Sequence, residues 1–499
     1  MRRAPIAMML MATCFSCSGW SQSKSSKPNH DNFYWLGEFN KASTVMVVEQ
    51  GIVPRVLGMK IADGVARVIE DGDKPGAKRP GDYLLYEPLL IAYAGPDATR
   101  MHSGRSRQDI LSTTRRVMLR ERTLDLLDSM ATAREKLIAM AAKHADTIVP
   151  AYTNGVQAQP TTYGHYLLAF AAAFDRDAER LRQAYARLNL SPLGAAALGT
   201  SSFPVNRPRL ADLLGFDGVA DNSYDANQVA TMDVAGELAD IASLCALTTG
   251  SFVQDIHTQY HQTDPWLLIQ TGDLTHPSSI MPQKRNPTIL NTLRLQASTV
   301  VGDATTYSFQ SHNVTPGMPD YKREQSQMTL DDASDMFRQL SALFDNLVVF
   351  PERALAEVNA EYSTTTELAD VLQRDADIPF RIGHHFASEL VDFGRKMKLK
   401  PMEIPYADAV RVYAEAGKKF GLADAKLPLT EAQFRASLSP EGMVNASKGM
   451  GGPQPAEVQR MLEGEKTRLA EDQTWARKQR AKLAQAQMRL DQAFRQLMN

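Results

Sequence analysis

Four stretches of this chain carry apolar residues at helical spacing for about 20–30 residues at a time, almost without an internal proline. Between Leu111 and His144, Val117, Leu124, Ala131 and Ile138 fall at heptad spacing, with Leu127 and Met130 filling the same stripe. A second pattern covers Val229 to Ile256 through Met232, Leu238, Ile241, Cys245 and Phe252. A third starts after Pro287 and runs through Leu290, Leu293, Ala297 and Val301, and a fourth carries Met336, Leu340, Leu343 and Leu347. A helix of that length buries its stripe only by lying against others, so these segments predict a bundle. Strand-like alternation is scarce. The fold class expected is all-α, with a central long-helix bundle.

Polar linkers divide the rest. Lys24 to His30 is one, and "EDGDKPGAKRPGD", Glu70 to Asp82, is a loop rich in Gly, Pro and charge. The organisation predicted is a leader at 1–24, an N-terminal helical domain at 25–110, the bundle at 111–350 with a loop at 275–288, a C-terminal helical domain at 351–465 and a tail at 466–499. Pro455 to Asn499 is rich in Ala, Gln, Lys, Arg and Glu, which suits one long exposed helix. No period of about 20–50 residues repeats, which disfavours a solenoid.

With 55 Lys and Arg against 57 Asp and Glu, the net charge is −2, and no basic field exists to gather a nucleic acid. Cys14, Cys17 and Cys245 form neither a disulfide framework nor a zinc-ligand cluster, so no metal site is expected. Arg2 and Arg3 precede an apolar run from Ala4 to Phe15, with small and polar residues from Ser16 to Ser23. That run is shorter than the roughly 20 residues of a spanning helix and has the length of a secretory core. It reads as an export signal cleaved near residue 20, which makes the protein exported and periplasmic. A lipid anchor at Cys17, or a cytoplasmic chain with a non-functional leader, are the alternatives.

Five polar segments sit beside helix ends or glycines. In "HSGRSRQD", His102 to Asp109, the residues Ser103, Arg105, Ser106, Arg107 and Gln108 put donors where the first long helix begins. A helix N-terminus favours an anion such as a carboxylate, although an N-cap with solvated arginines accounts for the same residues. "YTNGVQAQP", Tyr152 to Pro160, offers Thr153 and Asn154 as uncharged donors with Gln157 and Gln159 to anchor them, and His165 follows; a polar turn is the plainer reading. "SPLGAAALGTSSF" from Ser191 admits close backbone approach, and "DNSYDA", Asp221 to Ala226, is a capping signal. In "HPSSIMPQKRNP", His276 to Pro287, three prolines keep Ser278 and Ser279 on a loop, with Lys284 and Asn286 suited to clasping a carboxylate. A serine alcohol abstracts a proton only when cations, donors and loop closure stabilise its alkoxide, and this stretch contains such groups.

In this order the segments resemble the fumarase/aspartase superfamily, and within it the argininosuccinate lyase family. "SSIMPQKRNP" is similar to the superfamily's signature loop, and "HSGRSRQD" to a lyase segment reading H-T-G-R-S-R-N-D. "YTNGVQAQP" resembles Y-T-H-L-Q-R-A-Q-P, "SPLGAAAL" resembles P-L-G-S-G-A-L, and "NSYDA" resembles N-S-M-D-A. "TELADVL…IPFRIGHH", Thr366 to His385, and "GGPQPAEV", Gly451 to Val458, are similar to the C-terminal part, and the likeness spans roughly residues 35–465. It implies a three-domain helical protomer, a homotetramer with active sites shared between subunits, a small-molecule substrate, and no metal or organic cofactor. The implied reaction is anti-elimination of an amine from an N-substituted aspartate to give fumarate, argininosuccinate being the leading case. Arginine biosynthesis belongs in the cytoplasm, which is at odds with an export signal. By position, Ser278 is expected to remove the C3 proton, with Lys284, Asn286, Ser106, Arg107 and Thr153 stabilising the aci-carboxylate that forms. Gln108, Gln157, Tyr321 and Gln325 are expected to contact substrate.

Departures gather where the amine should lie. Asn154 stands in place of a histidine and cannot titrate near neutrality, which leaves His165, His102, Tyr321 or water to protonate the leaving amine. Gln108 replaces an asparagine, Pro277 replaces a glycine, and "PDYKREQSQ", Pro319 to Gln327, matches the family's P-x-x-Y-N-x-D-x-Q in part. A lyase acting on a different N-substituted aspartate, and a catalytically silent binding or structural protein, fit the same residues.

Overall fold

The computed structural model describes residues 30–318, 325–421 and 426–499. The leader at 1–24, with Cys14 and Cys17, and the candidate Tyr321 lie outside them. Helices α1 (Asn32–Glu49), α2 (Arg55–Gly72) and α3 (Tyr83–Ala94) enclose a core of Phe33, Phe39, Ile61, Tyr86 and Leu90. Asp31 and Asp82 cap α1 and α3, each accepting a backbone N–H at 2.9 Å, from Tyr34 and Leu84.

There follow α4 (Arg107–Lys143), α5 (Tyr163–Leu188), the short α6 (Arg207–Leu213), α7 (Ala230–Gln259), α8 (Thr288–Ser311) and α9 (Gln325–Asn346). The four apolar patterns are α4, α7, α8 and α9. α5 is a fifth bundle member whose stripe mixes Leu167, Phe174 and Leu181 with Ala171 and Ala178, which makes it fainter by eye. Leu124, Leu137, Phe174, Leu238, Phe252, Leu293 and Leu340 meet in one core. Each such side chain contributes about 1.5–3 kcal/mol on burial, so the stripes rather than helix propensity hold the bundle.

α10 (Pro351–Ala360) packs back on the bundle, while α11 (Thr365–Ala376), α12 (Phe380–Met397), α13 (Tyr406–Lys418) and α14 (Glu431–Leu438) enclose a separate core of Leu368, Leu372, Phe386, Leu390, Tyr413 and Phe434. α15 (Pro440–Ala446) leads to α16 (Pro455–Met498), 44 residues long. α16 is not the exposed helix expected. Val458, Leu462 and Leu469 join the bundle core, and Leu490, Phe494 and Leu497 join the core of α1 to α3. The divisions read at 110/111 and 465/466 fall inside α4 and α16, because a composition change along a helix does not end its hydrogen-bond ladder.

Strands are short. β1 (Ile148–Thr153) and β2 (Val156–Thr162) form a hairpin, and β3 (Leu190–Ser191) pairs in parallel with β4 (Gly218–Val219). β5 (Leu267–Ile269), β6 (His276–Pro277), β7 (Arg285–Asn286) and β8 (Leu347–Val349) make two antiparallel pairs, β5 with β8 and β6 with β7. Among the described residues no helix is long and apolar enough to cross a membrane.

The helices run in alternating directions, which fixes where each polar segment lies. Gly164 at the start of α5 donates to His144 O beyond the end of α4, and Arg116 near the start of α4 donates to Leu188 O at the end of α5. α7 begins beside the start of α4 and ends beside the start of α5, where Tyr166 donates to Asp255. α8 turns back, with the Tyr307 hydroxyl on Met232 O near the start of α7.

Candidate active site

At the start of α4, Ser106 caps the helix. Its Oγ accepts from Gln108 N–H at 3.2 Å, while Asp109 accepts from Ser106 N–H at 2.9 Å. Asp109 is buried and also accepts from Gly194 N–H (2.9 Å) and Ala196 N–H (3.2 Å), binding "SPLGAAAL" to the helix start. Burial pushes its carboxyl up to about 6, against the pull of those N–H donors and of Arg105. Asn227 closes a third side by donating to Ala196 O at 2.8 Å. Asn222 accepts from Tyr224 and Asp225 N–H, the cap expected of "DNSYDA", and a π-helical turn at Asp225–Val229 leads into α7. Three of the five polar segments therefore meet here.

Their arginines part company. Arg105 turns inward, donating to Asn40 Oδ1 at 3.0 Å with its guanidinium 5.4 Å from the Tyr83 ring centroid. Arg107 stays exposed and pairs with Asp82. His102 stacks on Tyr83 with centroids 4.1 Å apart. Burial, and then the Arg105 charge, push its pKa down to about 3, so it holds no proton to give at neutral pH.

The β1–β2 hairpin stands beyond the other end of α4. Thr153 pairs with Val156, so its turn is two residues, Asn154 (φ 53°) and Gly155 (φ 74°), both left-handed. That is the type I′ geometry that Asn-Gly prefers, and it accounts for asparagine at 154 by backbone alone. Thr153 and Asn154 are exposed at the tip. Gln157 faces the protein instead, donating to Val358 O (3.4 Å) and Ser363 Oγ (3.3 Å), while the Tyr152 hydroxyl meets Glu357. Those bonds pin the hairpin to α10. His165 is also engaged on both sides: Nε2 lies 2.9 Å from Gly451 O and Nδ1 2.9 Å from Thr161 Oγ1. A carbonyl only accepts, so Nε2 carries a proton and donates it to Gly451 O. His165 ties the hairpin to the "GGPQP" turn.

At the same end, pairing of His276 with Asn286 and Pro277 with Arg285 makes residues 276–286 a hairpin that feeds α8. Ser278 Oγ accepts from Met281 N–H (3.2 Å) and Ile280 N–H (3.4 Å), donors that favour its alkoxide. Asn286 donates to His276 O at 3.1 Å across the base, and Lys284 is exposed; the Ser278 oxygen takes its hydrogen bonds from backbone N–H groups and from neither side chain. Ile280 at the tip is 83% exposed. Gln325 opens α9, its carbonyl accepting from Thr329 Oγ1 at 2.9 Å.

The candidates thus fall into two groups. Ser106, Arg107 and Gln108 lie at the start of α4, while Thr153, Asn154, Gln157, His165, Ser278, Lys284 and Asn286 lie at the opposite end of the bundle. α7, of 30 residues, runs between the two ends and spans about 45 Å.

Residues 90–302 match the family described as Lyase, and residues 362–445 match Argininosuccinate lyase C-terminal. The argininosuccinate lyase of Methanoculleus marisnigri is 34% identical over 80% of this chain and 79% of its own length. That of Methanosarcina mazei is 32% identical over 86% of each. Among solved structures, EDDS lyase in complex with formate superposes with a TM-score of 0.83 at 28% identity, covering 94% of this chain and 92% of that one. A fumarate lyase from Mesorhizobium sp. BNC1, at 19% identity and a TM-score of 0.69 over 88% of this chain and 96% of that one, shares the fold. These relatives overturn the expectation of an exported, periplasmic protein and, with it, the lipid anchor at Cys17. The activity they are named for belongs with the cytoplasmic reading.

Proposed function

The chain belongs to the argininosuccinate lyase family of the fumarase/aspartase superfamily and is a carbon–nitrogen lyase, and from that premise we propose that it cleaves argininosuccinate to arginine and fumarate. Ser278 removes the C3 proton of the succinyl part. Two N–H donors already on its oxygen lower the cost of the alkoxide, and closure of the hairpin brings Lys284 toward it. The α4 N-terminus with Ser106 and Arg107, and Thr153 from the β1–β2 tip, hold the carboxylates, a pre-organised stabilisation of the aci-carboxylate of several kcal/mol. The C–N bond then breaks anti to the lost proton. Asn154 serves the turn, and with His165 engaged and His102 neutral, water or Tyr321 protonates the departing nitrogen.

The observation that carries this reading is the two-ended distribution of the candidates. Ser278 cannot meet Arg107 of its own chain, so the site forms between subunits, and we infer a homotetramer of three-domain protomers packed with their bundles antiparallel. The outward face of α8 supports this: Thr292, Leu295, Ser298, Thr299, Gly302, Thr305, Thr306 and Phe309 are exposed, and Arg294 is its lone charged exposed residue. Leu295 is 69% and Phe309 78% exposed, a face suited to another helix rather than to water.

A different N-substituted aspartate is the second reading, favoured by the likeness to EDDS lyase and by Gln108 on the amine side. Ultraviolet detection of fumarate over a panel of N-substituted aspartates separates the two. We expect argininosuccinate to give the highest kcat/KM, and Ser278→Ala to lower kcat about 10²–10⁴-fold, the usual range for a lost base. No fumarate from any substrate, with Ser278→Ala indistinguishable from wild type, would leave a silent binding protein.

A further inference from the structure

Behind the β1–β2 hairpin lies a cavity of about 160 Å³ lined by Tyr152, Tyr163, Tyr166, Asp255, Gln259 and Trp266, with aliphatic residues of β1, α7 and β5. None of its lining residues belongs to the Ser278 hairpin or to the start of α4. Its rings form a corner: Tyr163 and Tyr166 are stacked at 5.7 Å between centroids, and Trp266 meets Tyr163 edge-on at 5.6 Å. Three buried polar atoms on residues of this wall have no hydrogen-bond partner, the Tyr163 hydroxyl, Gln259 Oε1 and Trp266 Nε1. Tyr163 is fully buried and Gln259 is 4% exposed. Leaving such atoms unpaired costs about 1–3 kcal/mol each, and all three belong to residues that line this one void.

The lining also says what kind. Asp255, which accepts from the Tyr166 hydroxyl at 2.5 Å, is its one charged residue, and it holds no Lys, Arg or His. Gln259 Oε1 accepts only, Tyr163 can accept or donate, Trp266 Nε1 donates, and the faces of aromatic rings attract positive charge. An anion would find no cation here, and a neutral alkane would leave all three polar atoms orphaned. The volume is close to that of a cavity able to hold one benzene-sized molecule, about 150 Å³.

We propose that this cavity is a binding site for a small organic cation, an alkylammonium or alkylguanidinium of about five to seven heavy atoms. Its cationic head meets Asp255, Gln259 Oε1 and the ring faces, with the alkyl part against Val149 and Leu267. Because Tyr152 belongs both to the cavity wall and to the strand ending at Thr153, an occupant braces the hairpin from behind.

Calorimetric titration of the whole protein with n-butylammonium, methylguanidinium, 1-butanol and butyrate tests this. The cations are expected to bind at least about tenfold more tightly than 1-butanol, a preference of about 1.4 kcal/mol, with no binding of butyrate. Asp255→Asn keeps the shape and the Tyr166 contact, and should abolish the preference for cations. Hydrogen exchange should slow at residues 151–160 when n-butylammonium is added. Equal binding of 1-butanol, an unchanged preference in Asp255→Asn, protection elsewhere than 151–160, or no binding of either cation at millimolar concentration would each overturn the assignment.

Discussion

Two inactive variants, Ser278→Ala and Arg107→Gln, should restore activity to one another when their subunits are mixed. The argument is one of distance. Ser278 sits on a hairpin of residues 276–286 whose doubled-back arms reach about 17 Å, at roughly 3.4 Å per residue. Arg107 lies at the other end of a bundle about 45 Å long. Closure of the hairpin therefore cannot join them within one chain. If each site takes Ser278 from one subunit and Arg107 from another, random assembly of equal amounts leaves about a quarter of the sites with both residues intact. Co-expression with two affinity tags, purification of the doubly tagged oligomer and a fumarate assay should recover about a quarter of wild-type kcat per site, against less than about one hundredth for either variant alone. Doubly tagged oligomers without recovered activity would refute the shared site and the functional reading built on it.

Arg134 is 1% exposed and clasps Asp472 (2.6 Å) and Asp175 (2.8 Å), with Glu465 at 3.6 Å. Replacing it with Met leaves buried carboxylates on α16 and should cost about 3–5 kcal/mol in urea unfolding; a loss under about 1 kcal/mol would mean the clasp does not hold α16. His102 titrates near 3 when folded and near 6.5 when unfolded, so the unfolded chain takes up its proton first. Stability should be intact above 6.5 and fall by about 1 kcal/mol per pH unit below it, after discounting for partial exposure, a slope that His102→Phe should remove from urea curves taken at pH 7 and 5. Asn154→Ala should cost about 1–2 kcal/mol through its left-handed backbone, while Asn154→Gly should keep kcat/KM within about twofold. A large loss of kcat in Asn154→Gly would return a chemical role to that side chain.

Local patterning is enough to locate the long helices and the polar segments proposed to carry the chemistry. Apolar spacing is local, and α4, α7, α8 and α9 lie where it indicated. Asn154-Gly155 was equally legible, since a two-residue left-handed turn depends only on its own backbone. The Ser106–Asp109 capping box could have been read from Ser and Asp at the right spacing. The remaining features depend on partners far along the chain. His165 is bound to Gly451 and Gln157 to Val358, while Arg105 is drawn inward by Asn40, and none of these pairings has a local signature. Nor does the buried face of α16, whose apolar residues are spread among long charged ones over 44 positions. Above all, helix direction separates Ser278 from Arg107. A periodic pattern records which face of a helix is buried but not which neighbour covers it or which way that neighbour runs, and that choice is made only when the whole core closes.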